Sequence, residues 1–418
     1  MGAVSLGRVV DLSNIPLTGK AADALPAAAA ALGTDQHTPA EILKTALDAV
    51  GGISRFVKPG QVVAIKPNAT WAFAPHTASS TDPDVLRALI QLVQEAGASR
   101  IIVTDHCSIE PGTIKSLKAN GLGMVVEETG VEGHFPDRYL APKETYTTIE
   151  LPEGHAFKKI GVVKAAVEAD VRINMAVAKS HSVTRMTFTL KHMMGFLETP
   201  ASLHAYLHKG IADINTPSAI HADLHILEAL RIRMAYGDYV TCAGPQTDET
   251  HPFMIKRTNQ IIAGTDPVLV DAYACSTFYD VKPKEFAHLK NAADWGVGDL
   301  EVEAAQTSGK FRILKVGDVI AVQSAVQPTS KPVELSSPQP AGNGTTGAIP
   351  LPFTAPADQI EIANSVAQQT CNNAISPNDF LKTALIPASV IVAGAGLIAA
   401  RKKSLPDKPN DSGDVNEE

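Results

Sequence analysis

The stretch QVVAIKPNAT (61–70), continued by TDPDVLRALIQLVQEAGASRIIVTD (81–105), decides the fold class. Residues 61–66 are an apolar run that ends at Pro67, as a buried strand does. Residues 82–97 repeat apolar positions at helical spacing. Asp82 stands at the N-cap, Pro83 in the first turn, and Gly97 past the last turn. Residues 100–105 are a second buried strand. Strand, helix and strand in this order form a βαβ unit, and parallel strands need helices to cover their faces. The expected fold is therefore α/β, a parallel or mixed sheet with helices on both faces.

Outward from this unit the pattern continues. Residues 38–50 predict a helix with Thr38 as N-cap and Glu41 at capping-box spacing. Residues 170–178 (DVRINMAVA) predict a strand, 184–196 a helix, about 220–234 a helix, and 259–264 (NQIIAG) a strand. Helices follow at about 266–279 and 283–294. The stretch 120–165 is less periodic and reads as an insertion or β-rich subdomain. The chain of 418 residues is 44% hydrophobic and 19% charged, with a net charge of −8. This acidic balance, with no basic run other than Arg401–Lys403, argues against a nucleic-acid partner, which needs clustered Lys and Arg. The four cysteines, Cys107, Cys242, Cys275 and Cys371, form no C-x-x-C pattern. They supply no ligand set for an iron–sulfur cluster and no disulfide framework.

The composition changes near residue 324. Residues 1–323 read as the α/β domain and 324–380 as a Pro/Gly/Ser-rich linker that cannot bury enough apolar surface to order itself. Residues 381–403 read as a transmembrane anchor and 404–418 as a polar tail. The 18 residues TALIPASVIVAGAGLIAA (383–400) carry no charge. As a helix they span roughly 27 Å, enough for a hydrocarbon core. Arg401, Lys402, Lys403 and Lys408 follow the span, while Lys382 alone stands just before it. The positive-inside rule places the C-terminus in the cytoplasm and the domain outside. Residues 1–20 do not read as a signal peptide, so either the true start lies upstream of Met1 or the domain is cytoplasmic and the rule fails here.

Six of the 13 histidines fall between residues 181 and 225: His181, His192, His204, His208, His221 and His225. The pairs His204/His208 and His221/His225 are four apart, the spacing that shares one helix face. These four are the candidate ligands of a divalent metal. Neither pair carries the Glu of a zincin motif. Lys179-Ser180-His181 follow the strand 170–178, at the strand end where α/β sheets place ligands. Lys179, His181 and Lys191 are the candidate catalytic residues, with His181 able to move protons near neutral pH. Lys66, Asn68 and Asp105, at the ends of the first two strands, are the candidate substrate-binding residues.

VAIKPN (63–68), TDPDVLRALIQLVQEAGASRIIVTD (81–105), INMAVAKSHSVTRMTFTLKHMMGFL (173–197) and GTDPVLVDAYAC (264–275) together resemble the domain-of-unknown-function family 362 over about residues 40–300. The matching positions are Lys66, Pro67, Asn68, Asp82, Pro83, Lys179, His181, Thr184, Lys191, Asp266, Pro267 and Asp271. His192 departs from the pattern, where the family usually has Asn. The resemblance implies little chemistry. Some relatives carry ferredoxin-like modules, whose cysteine motifs this chain lacks, and relatives often carry export signals. The N-terminal βαβ pattern is also distantly similar to the nickel-dependent lactate racemase fold. The sequence thus leaves three readings open: an enzyme acting on a small anionic substrate, with or without the assistance of a metal; an accessory protein holding a ligand or metal without turning it over; and a redox partner.

Overall fold

Four consecutive alanines make β1 (Ala28–Leu32) thin enough to lie between two layers of helices. The remaining strands are β2 (Val62–Lys66), β3 (Arg100–Val103), β4 (Glu132–Gly133), β5 (Tyr146–Glu150), β6 (Lys159–Val163), β7 (Val171–His181), β8 (Arg185–Thr187), β9 (Leu224–Arg233), β10 (Ile255–Gly264) and β11 (Phe311–Lys315). The structure, a computed structural model, describes residues 25–106, 113–137, 141–235 and 242–318. Nine strands form one mixed sheet in the order β11-β1-β10-β9-β7-β2-β3-β4, with β8 paired to β7. The run β9-β7-β2-β3-β4 is parallel, and β10 is antiparallel to both of its neighbours. The stretch 120–165 contributes the separate hairpin β5–β6.

Alternate residues of the central strands β1, β7, β9 and β10 feed two cores, one on each face of the sheet. Ala29, Ala31, Val63, Ile65, Ile173, Met175 and Ile226 pack with helices Pro39–Ala49 and Pro83–Glu95. Ala28, Ala30, Ala176, Ala178 and Leu227 pack with helices Leu207–Asp213, Pro267–Phe278 and Ala287–Asp294. This is the expected α/β arrangement with helices on both faces. Both halves of the expected capping box at Thr38 and Glu41 are formed. Asp82 caps helix Pro83–Glu95 by accepting from the Asp84 amide at 2.9 Å.

Three expectations change. The strand expected over 170–178 runs on to His181, so Lys179 and His181 lie within β7 rather than after it. Beyond Lys66, where β2 ends, β7 has a free edge, and β8 takes it in an antiparallel hairpin. The helix expected over 184–196 is consequently only Thr189–His192 followed by a 3-10 turn, Met193–Phe196. The helix expected over 220–234 is strand β9, buried on both faces, whose dense apolar run has no readable period.

Among the described residues no helix is long and apolar enough to cross a membrane. The linker 324–380, the anchor 381–403 with its apolar core 383–400, the tail 404–418, and Cys107 and Cys371 lie outside the described residues.

Candidate functional site

β2 connects forward to β3 on one side, while β7 lies on its other side. The β2/β7 boundary is therefore a topological switch point, where the following loops part and leave a crevice beyond the strand C-termini. A cavity of about 360 Å³ opens there, lined by Lys66, Asn68, Asp105, Lys179, His181 and Lys191 among others. All six residues expected to bind substrate or act on it thus face one cavity. His204, Trp71, His192 and Cys242 line it as well.

Each lysine is held differently. Lys66 Nζ lies 2.7 Å from Asp105 Oδ1, with both side chains 1% exposed. Asp105 Oδ2 accepts from the Ala69 amide at 2.7 Å. Burial pushes the Lys66 amine down, and Asp105 pulls it back up. Lys179 Nζ donates to the Ser79 carbonyl at 2.5 Å and to Asn68 Oδ1 at 3.5 Å, and lies 5.9 Å from the centre of the Trp71 ring. Burial brings its pKa down to about 7, with Arg233 and Lys191 adding to the fall. Lys191 has no hydrogen bond or ion pair among the described residues, and burial lowers its amine to about 8.

The acceptor of Lys179 is itself built. Ala78 adopts a left-handed conformation, φ 51°, that turns the Ser79 carbonyl toward the amine. The buried guanidinium of Arg233 donates to the Thr77 carbonyl at 2.7 Å and the Gly244 carbonyl at 2.9 Å, clamping that turn in place. Asp271 does the same for Lys191. Its carboxylate accepts from the Thr189 amide at 2.8 Å, the Thr189 hydroxyl at 2.6 Å and the Leu190 amide at 3.0 Å, and so caps the helical turn that carries Lys191 and His192. Burial raises Asp271 to about 7 against the opposing pull of these donors.

His192, the departure from the family pattern, is a full member of the site. Its Nε2 lies 2.9 Å from Lys66 Nζ and its Nδ1 2.5 Å from Asn174 Oδ1. The carbonyl of Thr189 fixes the protons along this row. It only accepts, so the Asn174 group 2.9 Å away is the NH₂. Asn174 Oδ1 therefore faces His192 Nδ1, which must carry the proton, and Nε2 accepts from Lys66. The second Asn174 proton points to His225 Nδ1 at 3.1 Å, placing the His225 proton on Nε2. Burial and the three lysines hold His192 neutral and outweigh the Pro67 carbonyl, which favours the charged ring. Burial takes His225 down to about 3.

His181 is also neutral, lowered first by burial and then by Lys191 and Lys179. Its Nδ1 accepts from the Val183 and Thr184 amides at 3.1 and 3.3 Å, which leaves the proton on Nε2.

The four expected metal ligands share no helix face. His204 lies in a 3-10 segment, Pro200–Tyr206, and His208 in the next helix, where its ring stacks on His288 with centroids 5.6 Å apart. His221 precedes β9, and His225 lies within it, bonded to Asn174. Among the described residues no group of three or more His, Cys, Asp or Glu is placed to hold a metal ion.

A family model described as a domain of unknown function (DUF362) matches residues 63–276, the span from β2 through helix Pro267–Phe278 that carries every cavity residue named above. The chain belongs to this family. It is 29% identical over 204 residues to a thylakoid-associated protein of Synechocystis, covering 45% of this chain and 57% of that protein, so it spans little more than half the length of that curated relative. The lactate racemase apoprotein of Thermoanaerobacterium thermosaccharolyticum aligns with 66% of this chain and 58% of its own, at 14% identity and a TM-score of 0.37. A Thermotoga maritima protein aligns with 49% of this chain and 53% of its own, at 14% identity and a TM-score of 0.30.

Sequence reasoning missed Asn174, His192, Asp271 and Gly195 as parts of the site. Asn174 gave a signal, a polar residue in the middle of a buried strand. Gly195 gave none.

Proposed function

We propose that this DUF362 chain is an enzyme that binds a small anionic substrate in the cavity at the β2/β7 crevice and acts on it through its amines and imidazoles. One observation carries the reading: Lys66, Lys179 and Lys191 converge on a cavity in which Asp105 is the one carboxylate among the described lining residues, and Asp105 is already paired with Lys66. The buried Lys179 and the half-buried Lys191 thus have no carboxylate of their own, the Cys242 thiol being the neighbour that most favours their charged forms, and an anion supplies the counter-charge. The neutral His181 provides an N–H donor in the same space. Calorimetric titration with oxalate and with inorganic phosphate tests this. Lys179→Met and Lys191→Met should each weaken binding about tenfold or more, about 1.4 kcal/mol, with folding intact. Absence of binding at millimolar anion, or mutants that lose stability and keep affinity, would count against it.

We also propose that residues 383–400 attach the protein to a membrane, with the C-terminus cytoplasmic. The charge-free run and the basic residues after it support this, as does the name of the thylakoid-associated relative. Removing 380–418 should shift the protein from the membrane fraction to the soluble one. Full-length protein that stays in solution without detergent contradicts the attachment.

A further inference from the structure

The cavity separates its three lysines by what each amine already touches. Lys66 Nζ is committed to Asp105 and to His192. Lys179 Nζ is committed to the Ser79 carbonyl. Lys191 Nζ makes no hydrogen bond or ion pair among the described residues, its electrostatic neighbours being Cys242 and Lys66, although Asp271 and Thr189 fix the turn that bears it. An amine that only balanced charge would not need a capped turn to aim it. An aimed amine without a hydrogen bond, at the wall of a cavity, has the surroundings of a nucleophilic lysine, because burial first and then the nearby Lys66 favour its neutral form against the opposing pull of Cys242.

We propose that Lys191 forms an imine with the carbonyl carbon of a 2-oxo acid whose carboxylate is held at Lys179. This deepens the anion-site reading and rests on it. The substrate class follows from the chemistry. A neutral amine attacks neither a simple carboxylate nor a phosphate ester readily at neutral pH, whereas a ketone next to a carboxylate offers both an anion for the site and an electrophile for the amine.

The step balances within the cavity. Lys191, its ammonium having released one proton to the water at the cavity mouth, bonds through Nζ to the carbonyl carbon as the C=O electron pair moves to oxygen, and the His181 Nε2–H donates a hydrogen bond to that oxygen. The C–O bond of the carbinolamine then breaks and the oxygen leaves as water. Of the three ammonium protons, one passes from nitrogen to that oxygen as the carbinolamine forms, the one released before attack is returned by water as the hydroxyl departs, and the third stays on the iminium, while His181 keeps its own proton throughout. No oxidant or reductant is consumed. His181 is set for this role because both bonds to its Nδ1 come from backbone amides, leaving Nε2–H as its donor.

The test uses the full-length protein with pyruvate as probe and borohydride as trap, followed by peptide mass mapping, with oxalate binding measured in parallel as the anion control. The expected result is a stable adduct on Lys191, with the mass of one pyruvate less one water plus two hydrogens. Lys191→Arg, which has no amine able to form the imine, should lose the adduct. Oxalate binding without an adduct, or an adduct on another lysine, overturns the imine and leaves the anion site standing. Failure of both oxalate and pyruvate to bind overturns the two together. Mapping the wild-type adduct decides the question even where the arginine variant does not fold.

Discussion

A Cβ on Gly195 would lie 2.3 Å from Oδ1 of Asp105. The same position would lie 2.4 and 2.5 Å from Cε and Nζ of Lys66, so the backbone at Gly195 is pressed against the buried ion pair. Gly195→Ala should force the pair apart. Breaking a buried pair costs about 3–5 kcal/mol, and chemical denaturation should show a loss of that order together with loss of anion binding. A midpoint equal to that of the wild type would mean that the wall is softer than it looks.

Stability and anion binding should respond to pH with opposite signs. Lys179 has a folded pKa of about 7 against an ordinary 10.5. Between those values the unfolded chain binds more protons, so the ligand-free protein gains stability as pH rises from about 7 to about 10. Anion binding favours the ammonium and weakens over the same rise. Lys179→Met should flatten the stability rise. The proton taken up on binding oxalate near pH 8 is measurable by calorimetry in buffers of different ionisation heat. Zero uptake excludes titration of these amines.

Removing Asn174 should be costly for a residue with no exposed surface. Asn174→Leu leaves the Thr189 carbonyl, His192 Nδ1 and His225 Nδ1 without their partner. Each orphaned group costs about 1–3 kcal/mol. Nitrogen NMR of the wild type should find His192 protonated on Nδ1 and His225 on Nε2. The reverse pattern in either ring would contradict the hydrogen-bond assignment.

Asp271 should separate aim from charge. Asp271→Ala removes the acceptor of two amides and a hydroxyl at the buried turn before Lys191, and each orphaned donor costs about 1–3 kcal/mol. Oxalate affinity should fall with it, because Lys191 is no longer held in place. Asp271→Asn retains one acceptor oxygen and should fall between the wild type and the alanine variant. Unchanged affinity in Asp271→Ala would show that the turn does not aim the amine.

The parts of the fold that were legible in the sequence are those where one physical signal acts alone. Helix Pro83–Glu95 has a single buried face, a capping Asp82 and a stop at Gly97, and its bounds agree with the expectation to within two residues. β9 misled because it is buried on both faces and holds Glu228 and Arg233 among its apolar residues, which erases any alternation. The β7–β8 hairpin was hidden for a different reason: it depends on β2 ending before β7, a relation between strands a hundred residues apart. The cavity residues were found by their position at strand ends. Lys66, Asn68, Asp105, Lys179 and His181 need no knowledge of pairing, only the rule that parallel strands present their C-termini to ligands, and Lys191 is read on the helical segment that follows them. The supports behind them, Asn174, Asp271 and Gly195, are defined by contacts that no spacing encodes.

The row from Lys66 through His192 and Asn174 to His225 has one direction: every proton in it points away from the cavity. Asn174 cannot reverse while the Thr189 carbonyl faces its NH₂, and neither imidazole can reverse unless Asn174 does. An amide also does not hand a proton on as an imidazole does, since that would require the imidic acid form. The row is therefore an insulator rather than a wire. A proton taken from a bound molecule has no path through Asn174 into the protein interior, and it must return to that molecule or leave by the mouth of the cavity.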